Sequence, residues 1–304
     1  ALFECASVIE AYRKDNLKLR MLYSDEDKCN SDGTLFYEVN RKPEFNLDLI
    51  LSNNYICHLL VMQRELMQEL GFRSSVDGAQ DHDIILRAVD RMMGEGRHAA
   101  GKAGLPITHI PKVLYHWRCY EGSTSENPES KRYAYEAGKR AVEDFLKARE
   151  YQADVVHTCH LGFFRVNYQP DLLSNRPDVA VVGGKLIDRH NRVVGGIYNE
   201  NREPLYLGLH KEYSGYMHRA SCQQEAYAVD VRCMICSGEA QTVWEELTGL
   251  PYAVQPHTGY FLYQDVLKKD ADYEELSFRF CEELRRRGKR IVWDPEMVQR
   301  VDGR

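Results

Sequence analysis

Leu17-Lys18-Leu19-Arg20-Met21-Leu22-Tyr23-Ser24-Asp25-Glu26-Asp27-Lys28 is the stretch on which the reading of this chain turns. Residues 17–23 are apolar enough to form a short strand, and the strand runs straight into three acids. Adjacent carboxylates repel one another unless a cation or basic groups sit among them, and a hard divalent ion is the natural partner. Asp25 and Asp27 flank one residue, so on an extended segment both side chains leave the same face, about 7 Å apart at the backbone. The plainer reading is an acidic strand exit whose aspartates turn the chain.

The chain has 304 residues and is 43% hydrophobic, enough for one large α/β domain or two modest ones with buried cores. A net charge of −6 gives no electrostatic footprint for nucleic acid. No apolar run approaches the length that spans a bilayer, and no secretory leader pattern is visible, so the cytoplasm is the expected compartment. Nine cysteines at irregular spacing fit free thiols in a reducing environment. Cys233 and Cys236 have redox or zinc spacing, but they lie in an apolar run without a second pair and read as packing residues.

Outward from the acids, residues 4–14 suit an amphipathic helix, and Asn30-Ser31-Asp32-Gly33 is a hairpin turn with residues 34–39 returning as a strand. Residues 56–62 read as a strand buried on both faces, and 64–70 as a short helix stopped by Gly71. After a polar loop over 74–80, a helix starting near Asp81 places Ile84, Ile85, Ala88, Val89 and Met92 on one face. Asp81 and Asp83 then stand at its N-terminus, where Asp81 suits either a plain cap or a functional acid and Asp83 a first-turn acid favoured by the helix dipole. Residues 94–104 are a glycine-rich excursion and 107–117 a strand with Pro111 at an edge or bend. A loop over 121–130, a long charged helix over 131–149 and a connecting strand segment over 155–168 complete this part. Residues 178–187, the turn Asp188-Arg189-His190-Asn191, and residues 228–236, 243–249, 276–284 and 291–295 then echo the earlier order of strand, hairpin, strand, helix, helix and strand. The chemistry does not repeat, because Gly183-Gly184-Lys185 stands where the first copy has its acids.

Four blocks in order carry a resemblance: Leu22-Tyr23-Ser24-Asp25-Glu26-Asp27-Lys28 with Asp32-Gly33, Leu51-Ser52-Asn53-Asn54-Tyr55-Ile56-Cys57-His58-Leu59, Gln80-Asp81-His82-Asp83, and His109-Ile110-Pro111-Lys112-Val113-Leu114-Tyr115-His116-Trp117-Arg118. Together they resemble the second half of a bacterial family 2 glycosyltransferase domain, and residues 171–294 resemble the second half of another, as in tandem polysaccharide-synthesising enzymes. The resemblance implies an α/β chain with a GT-A-like mixed sheet flanked by helices, in two related and incomplete units: 1–150 with the site motifs, a connector over 151–170, and a degenerate copy over 171–304. It implies that the nucleoside-binding halves lie outside these residues, either through a shortened form or because the chain is part of a longer polypeptide.

What the resemblance implies for the site follows residue by residue. Asp25 and Asp27 match the DxD motif that holds Mn²⁺ or Mg²⁺ against the diphosphate of a nucleotide-diphospho-sugar. Asp81 matches the base that takes the acceptor's proton in inverting members. His116 and Arg118 alternate on an extended segment and suit an extra metal ligand and a diphosphate clamp. Asn53, Asn54 and Tyr55 match positions that contact donor or acceptor, or else form a structural turn, and His109 reads as a structural histidine.

The first expectation is therefore an inverting, metal-dependent glycosyltransferase that moves a sugar to a glycan or glycolipid acceptor in cell-surface polysaccharide synthesis. It would work in the cytoplasm, with room for peripheral contact with the inner membrane face or an assembly complex. The alternative is a non-catalytic carbohydrate-binding or assembly remnant. A metal-dependent phosphohydrolase lacks the further His and Asp ligands that a two-metal site needs.

Overall fold

Repulsion between neighbouring carboxylates gives a strand a reason to end at Tyr23, yet β1 runs Met21–Cys29 and carries all three acids inside it. Each acid has its own partner on another segment, Asp25 with His109, Glu26 with Asn40 and Asp27 with His116, so the ladder continues through them. The computed structural model describes residues 1–95, 104–120, 132–253 and 272–301. The glycine-rich excursion expected over 94–104 falls mostly outside these residues, and the loop expected over 121–130 falls wholly outside them. The chain divides into two units, Ala1–Val166 and Asn167–Arg304.

In the first unit α1, Leu2–Lys14, precedes β1. The turn after β1 places Gly33 at φ 70° and lets the Asn30 side chain accept from Thr34 N and Leu35 N, after which β2 returns as Phe36–Asn40. Next, α2, Leu47–Ser52, is capped by the Asn46 side chain, which accepts from Leu49 N at 3.0 Å. Only Leu60–Met62 forms strand β3, half-buried, where a longer and fully buried strand was expected. The carbonyls of Ile56 and His58 are claimed by the Lys42 ammonium, and that takes this stretch out of the ladder. Then α3, Arg64–Leu70, ends at Gly71 as expected, and α4, Gln80–Gly94, buries the expected face of Ile84, Ile85, Ala88, Val89 and Met92.

β4, Ile107–Arg118, lies parallel to β1 along its whole length. It fills one edge of β1, so β3 and β2 share the other, β3 along Met21–Tyr23 and β2 along Glu26–Cys29. Pro111 sits where the register jumps, Ser24 facing Ile110 and Asp25 facing Val113, as expected of a residue without an N–H. α5, Arg132–Ala148, packs on α4, and β5, Ala153–His157, pairs with β6, Phe164–Tyr168. The expected connector is thus a strand pair, and the division between units falls inside β6.

The second unit continues with α6, Leu172–Asn175, β7, Val179–Ile187, β8, Val193–Gly195, and β9, Ile197–Tyr198. Gln224–Glu225 (β10), Ala228–Val229 (β11) and Met234–Cys236 (β12) follow as short strands, then helices α7, Gly238–Thr248, and α8, Tyr273–Arg286, and strand β13, Arg290–Arg300. The strand expected over 228–236 is broken by a turn in which Cys233 N donates to Asp230 O. Strand order repeats that of the first unit: β13 lies parallel along one edge of β7, while β12 and β8 share the other. Tyr23 faces His109 in one central pair and Gly183 faces Trp293 in the other, so Lys185 occupies the position that Asp25 holds. Its core is built on Trp244, Phe280 and Trp293. Cys233 and Cys236 are buried with free thiols, and burial pushes the Cys233 thiol up to about 12. The whole is a mixed α/β architecture, mixed sheets flanked by helices. Among the described residues no helix is long and apolar enough to cross a membrane.

Candidate active site in the first unit

The three acids of β1 are buried, and each is bound differently. Asp25 Oδ1 accepts from Lys42 N at 2.9 Å and from His109 Nε2 at 2.8 Å, and the His109 ring stacks on Tyr23 with centroids 4.9 Å apart. Asp27 Oδ1 lies 2.5 Å from His116 Nδ1, whose ring is braced by Phe36. A carboxylate only accepts, so the ring nitrogen facing each aspartate carries the proton. Glu26 accepts from Asn40 Nδ2 at 3.0 Å and from His58 N at 2.8 Å, with Lys42 Nζ 3.6 Å away. Burial pushes the Glu26 carboxyl up, but His58 and Lys42 outweigh it and hold the group below its ordinary range. Burial in turn lowers the Lys42 ammonium.

Asp81 is the second residue of α4, and the helix cap is Ala79, so Asp81 is not a plain N-cap. Its Oδ1 accepts from His82 N at 2.9 Å and its Oδ2 from Asn54 Nδ2 at 3.1 Å. Cys57 and His58 stand against it: one ligand atom from each of Cys57, His58 and Asp81 lies within 4.8 Å of the others. His58 also donates its backbone N–H to Glu26, so contacts run unbroken from the β1 acids to the start of α4. The Tyr115 ring stacks on His58 at 4.6 Å and Trp117 meets it edge-on at 5.4 Å. Trp117 is half-buried on this side of β4.

The remaining sequence-predicted residues separate. Asn54 belongs to the Asp81 cluster. Asn53 Nδ2 donates to Gly162 O at 3.0 Å, and the hydroxyl oxygen of buried Tyr55 accepts from Asn46 N at 2.8 Å, so both hold the scaffold. Arg118 Nη1 donates to Ser31 O at 2.5 Å and keeps the hairpin turn closed over Gly33. Asp83 is not a dipole-favoured surface acid: it is buried and paired with Arg73 and Arg87.

As holders of a divalent cation, Asp27 and Asp25 fit in part. Mn²⁺ or Mg²⁺ bound against a diphosphate asks for one or two carboxylates, the rest of its shell being phosphate and water. Asp27 keeps Oδ2 outside its bond to His116, whereas Asp25 Oδ1 already accepts two hydrogens. Asp25, Asp27 and His116 do not converge as a trio; among the described residues only Cys57, His58 and Asp81 do. Sequence reasoning missed Glu26, Lys42, Cys57 and His58. The signal for Glu26 was available, since alternation along β1 turns the middle acid away from its neighbours.

No family model matches the chain. It is 41% identical over 128 residues, 42% of its length, to the uncharacterized protein y4gI of Sinorhizobium fredii, of which the match covers 13%. It is 30% identical over 169 residues, 54% of its length, to the O-antigen biosynthesis protein RfbC of Myxococcus xanthus, of which the match covers 12%. The chain therefore spans about an eighth of the length of these curated relatives, and it has distant, partial homology to an O-antigen biosynthesis protein.

Proposed function

We propose that the first unit carries the acceptor and diphosphate side of an inverting, metal-dependent glycosyltransferase acting in cell-surface polysaccharide synthesis. Partial homology to an O-antigen biosynthesis protein supports the pathway. The observation that carries the chemistry is that His58, whose backbone N–H donates to Glu26, stands within 4.8 Å of Asp81: it sets a second carboxylate near the acid row of β1 in one unit.

In this reading the acceptor hydroxyl approaches Asp81, which takes its proton as the oxygen bonds to the anomeric carbon and the bond to the diphosphate oxygen breaks on the opposite face. Asn54 holds one oxygen of Asp81 and His82 N the other, and both bonds fix the direction in which the carboxylate presents its lone pairs. Base catalysis of this kind is worth about 10² to 10⁴ in rate. On the donor side Asp27 would hold Mn²⁺ or Mg²⁺ through the oxygen outside its bond to His116, with His116 orienting that carboxylate through Nδ1 and Asp25 adding negative charge beside it. Such an ion, when bound, neutralises charge on the departing nucleoside diphosphate, a contribution of several kcal/mol.

Release of nucleoside diphosphate from a panel of nucleotide sugars with Mn²⁺ present tests the reading. Asp81→Asn is expected to lower turnover about 10² to 10⁴-fold while sparing donor binding. Equal turnover in that variant would remove Asp81 from the role. The second unit fits a supporting, non-catalytic part instead, because buried Lys185 fills the register position of Asp25.

A further inference from the structure

We propose that Cys57, His58 and Asp81 form a binding site for a thiolate-seeking divalent transition metal, of which Zn²⁺ is the natural occupant, separate from the Mn²⁺ or Mg²⁺ expected at Asp27. The donor set is one sulfur, one imidazole nitrogen and one carboxylate oxygen, and soft sulfur with imidazole selects zinc or cobalt over magnesium or calcium. The three atoms lie within 4.8 Å of one another. A tetrahedral zinc with bonds of about 2.0–2.3 Å needs its donors roughly 3.3–3.8 Å apart, so closing the site takes about 1 Å of side-chain movement.

Three further observations point at a ligand. His58 Nδ1 is a buried nitrogen without a hydrogen bond, and its nearest carboxylate oxygen, Glu26 Oε2, is 3.5 Å away. The imidazole is already oriented, stacked on Tyr115 and edged by Trp117, and Asn54 Nδ2 holds one oxygen of Asp81 as an outer partner holds a metal-binding carboxylate. All three residues are half-buried, so an ion can enter. Water completes the shell. Among the described residues Lys42, 3.6 Å from Glu26 Oε1, is the cation placed to oppose it, and its charge is already spread over the carbonyls of Ile56 and His58. Burial, and then the Asp81 and Glu26 carboxylates, push the Cys57 thiol up; a cation among them reverses that field and favours the thiolate.

Metal binding here stands apart from the transferase reading, and only its consequence rests on that reading: an ion on Asp81 removes the proposed base, so Zn²⁺ would switch transfer off. The deciding experiment is a Co²⁺ titration of the purified chain, followed by the sulfur-to-cobalt charge-transfer band and the visible d–d bands, with Zn²⁺ as competitor. One Co²⁺ per chain with a charge-transfer band displaced by Zn²⁺ is expected. Cys57→Ser should abolish that band. His58→Gln and Asp81→Asn should weaken binding by no less than the roughly 10–100-fold that loss of an outer partner costs a zinc site. Cys233→Ser/Cys236→Ser should leave the spectrum intact. A band that survives Cys57→Ser, a band lost only with Cys233 and Cys236, or none in the parent chain overturns the proposal. Because the readout is spectroscopic, it decides the matter even if no sugar transfer is ever detected.

Discussion

His116 Nδ1 reaches to 2.5 Å from Asp27 Oδ1 across the parallel pairing of β1 and β4, where the two residues stand directly opposite each other. The bond orients the Asp27 carboxylate and leaves its Oδ2 outside that contact. If Asp27 holds the cation against the diphosphate, Asp27→Asn should lower Mn²⁺-dependent nucleoside diphosphate release by about 10²-fold or more, several kcal/mol of lost charge stabilisation. Mn²⁺ electron paramagnetic resonance should show weaker binding in Asp27→Asn and His116→Ala. Unaltered Mn²⁺ affinity in both would move the cation elsewhere.

Asp83 is 1% exposed and bonded to Arg73 and Arg87, the second of which also donates to the carbonyls of Leu70 and Gly71. The carboxylate therefore ties the end of α3 to the start of α4. Asp83→Ala should cost about 3 kcal/mol, the lower end for breaking a buried pair because both arginines reach solvent. Urea unfolding measures it, and a loss below about 1 kcal/mol would place the pair among ordinary surface bridges.

Gly184 lies on β7 against the irregular part of β13: a Cβ there would meet the Met297 carbonyl and side chain and Cys233 Sγ. Two of these contacts are hard to relieve, one with backbone and one with a buried thiol. Gly184→Ala should destabilise the second unit by about 1–3 kcal/mol, the usual cost of overpacking. The denaturant midpoint shows it, and an unshifted midpoint would mean that the strands can part at no cost.

Burial brings the Lys185 ammonium from its ordinary 10.5 to about 8, against the pull of Asp294 and Glu296. Its Nζ donates to Lys211 O at 2.8 Å. The folded pKa is below the unfolded one, so between about 8 and 10.5 the unfolded chain binds more protons and this residue's contribution to stability rises with pH; below about 8 the full cost of burying the charge is present. Lys185→Met should remove that rise. Comparing urea midpoints of the parent and the variant across the window isolates the effect, and parallel profiles would contradict it.

Local pattern made several parts of this chain legible. The apolar face of α4, the stop of α3 at Gly71 and the turn at Gly33 follow from periodicity and from what glycine backbone permits, which need only neighbouring residues. The ends of β1 and β3 did not follow, because they depend on partners far along the chain. Asp25 and Asp27 stay in the ladder through His109 and His116, 84 and 89 residues away, and the Lys42 ammonium takes Ile56 and His58 out of it.

By itself the sequence determined that a strand leads into the three acids at Asp25, Glu26 and Asp27, that a helix starts near Asp81, and that the strand order returns in weakened form after residue 170. Tertiary structure alone decided that Glu26 turns away from its neighbours toward Lys42 and His58, that Asp83 is paired with two arginines while Asp81 is held by Asn54 and His82 N, and that Cys57 and His58 stand beside Asp81. The physical reason is range: hydrophobic period and turn chemistry act over a few residues, whereas a carboxylate's partners, and hence its chemistry, are set by which strands and helix ends the fold brings together.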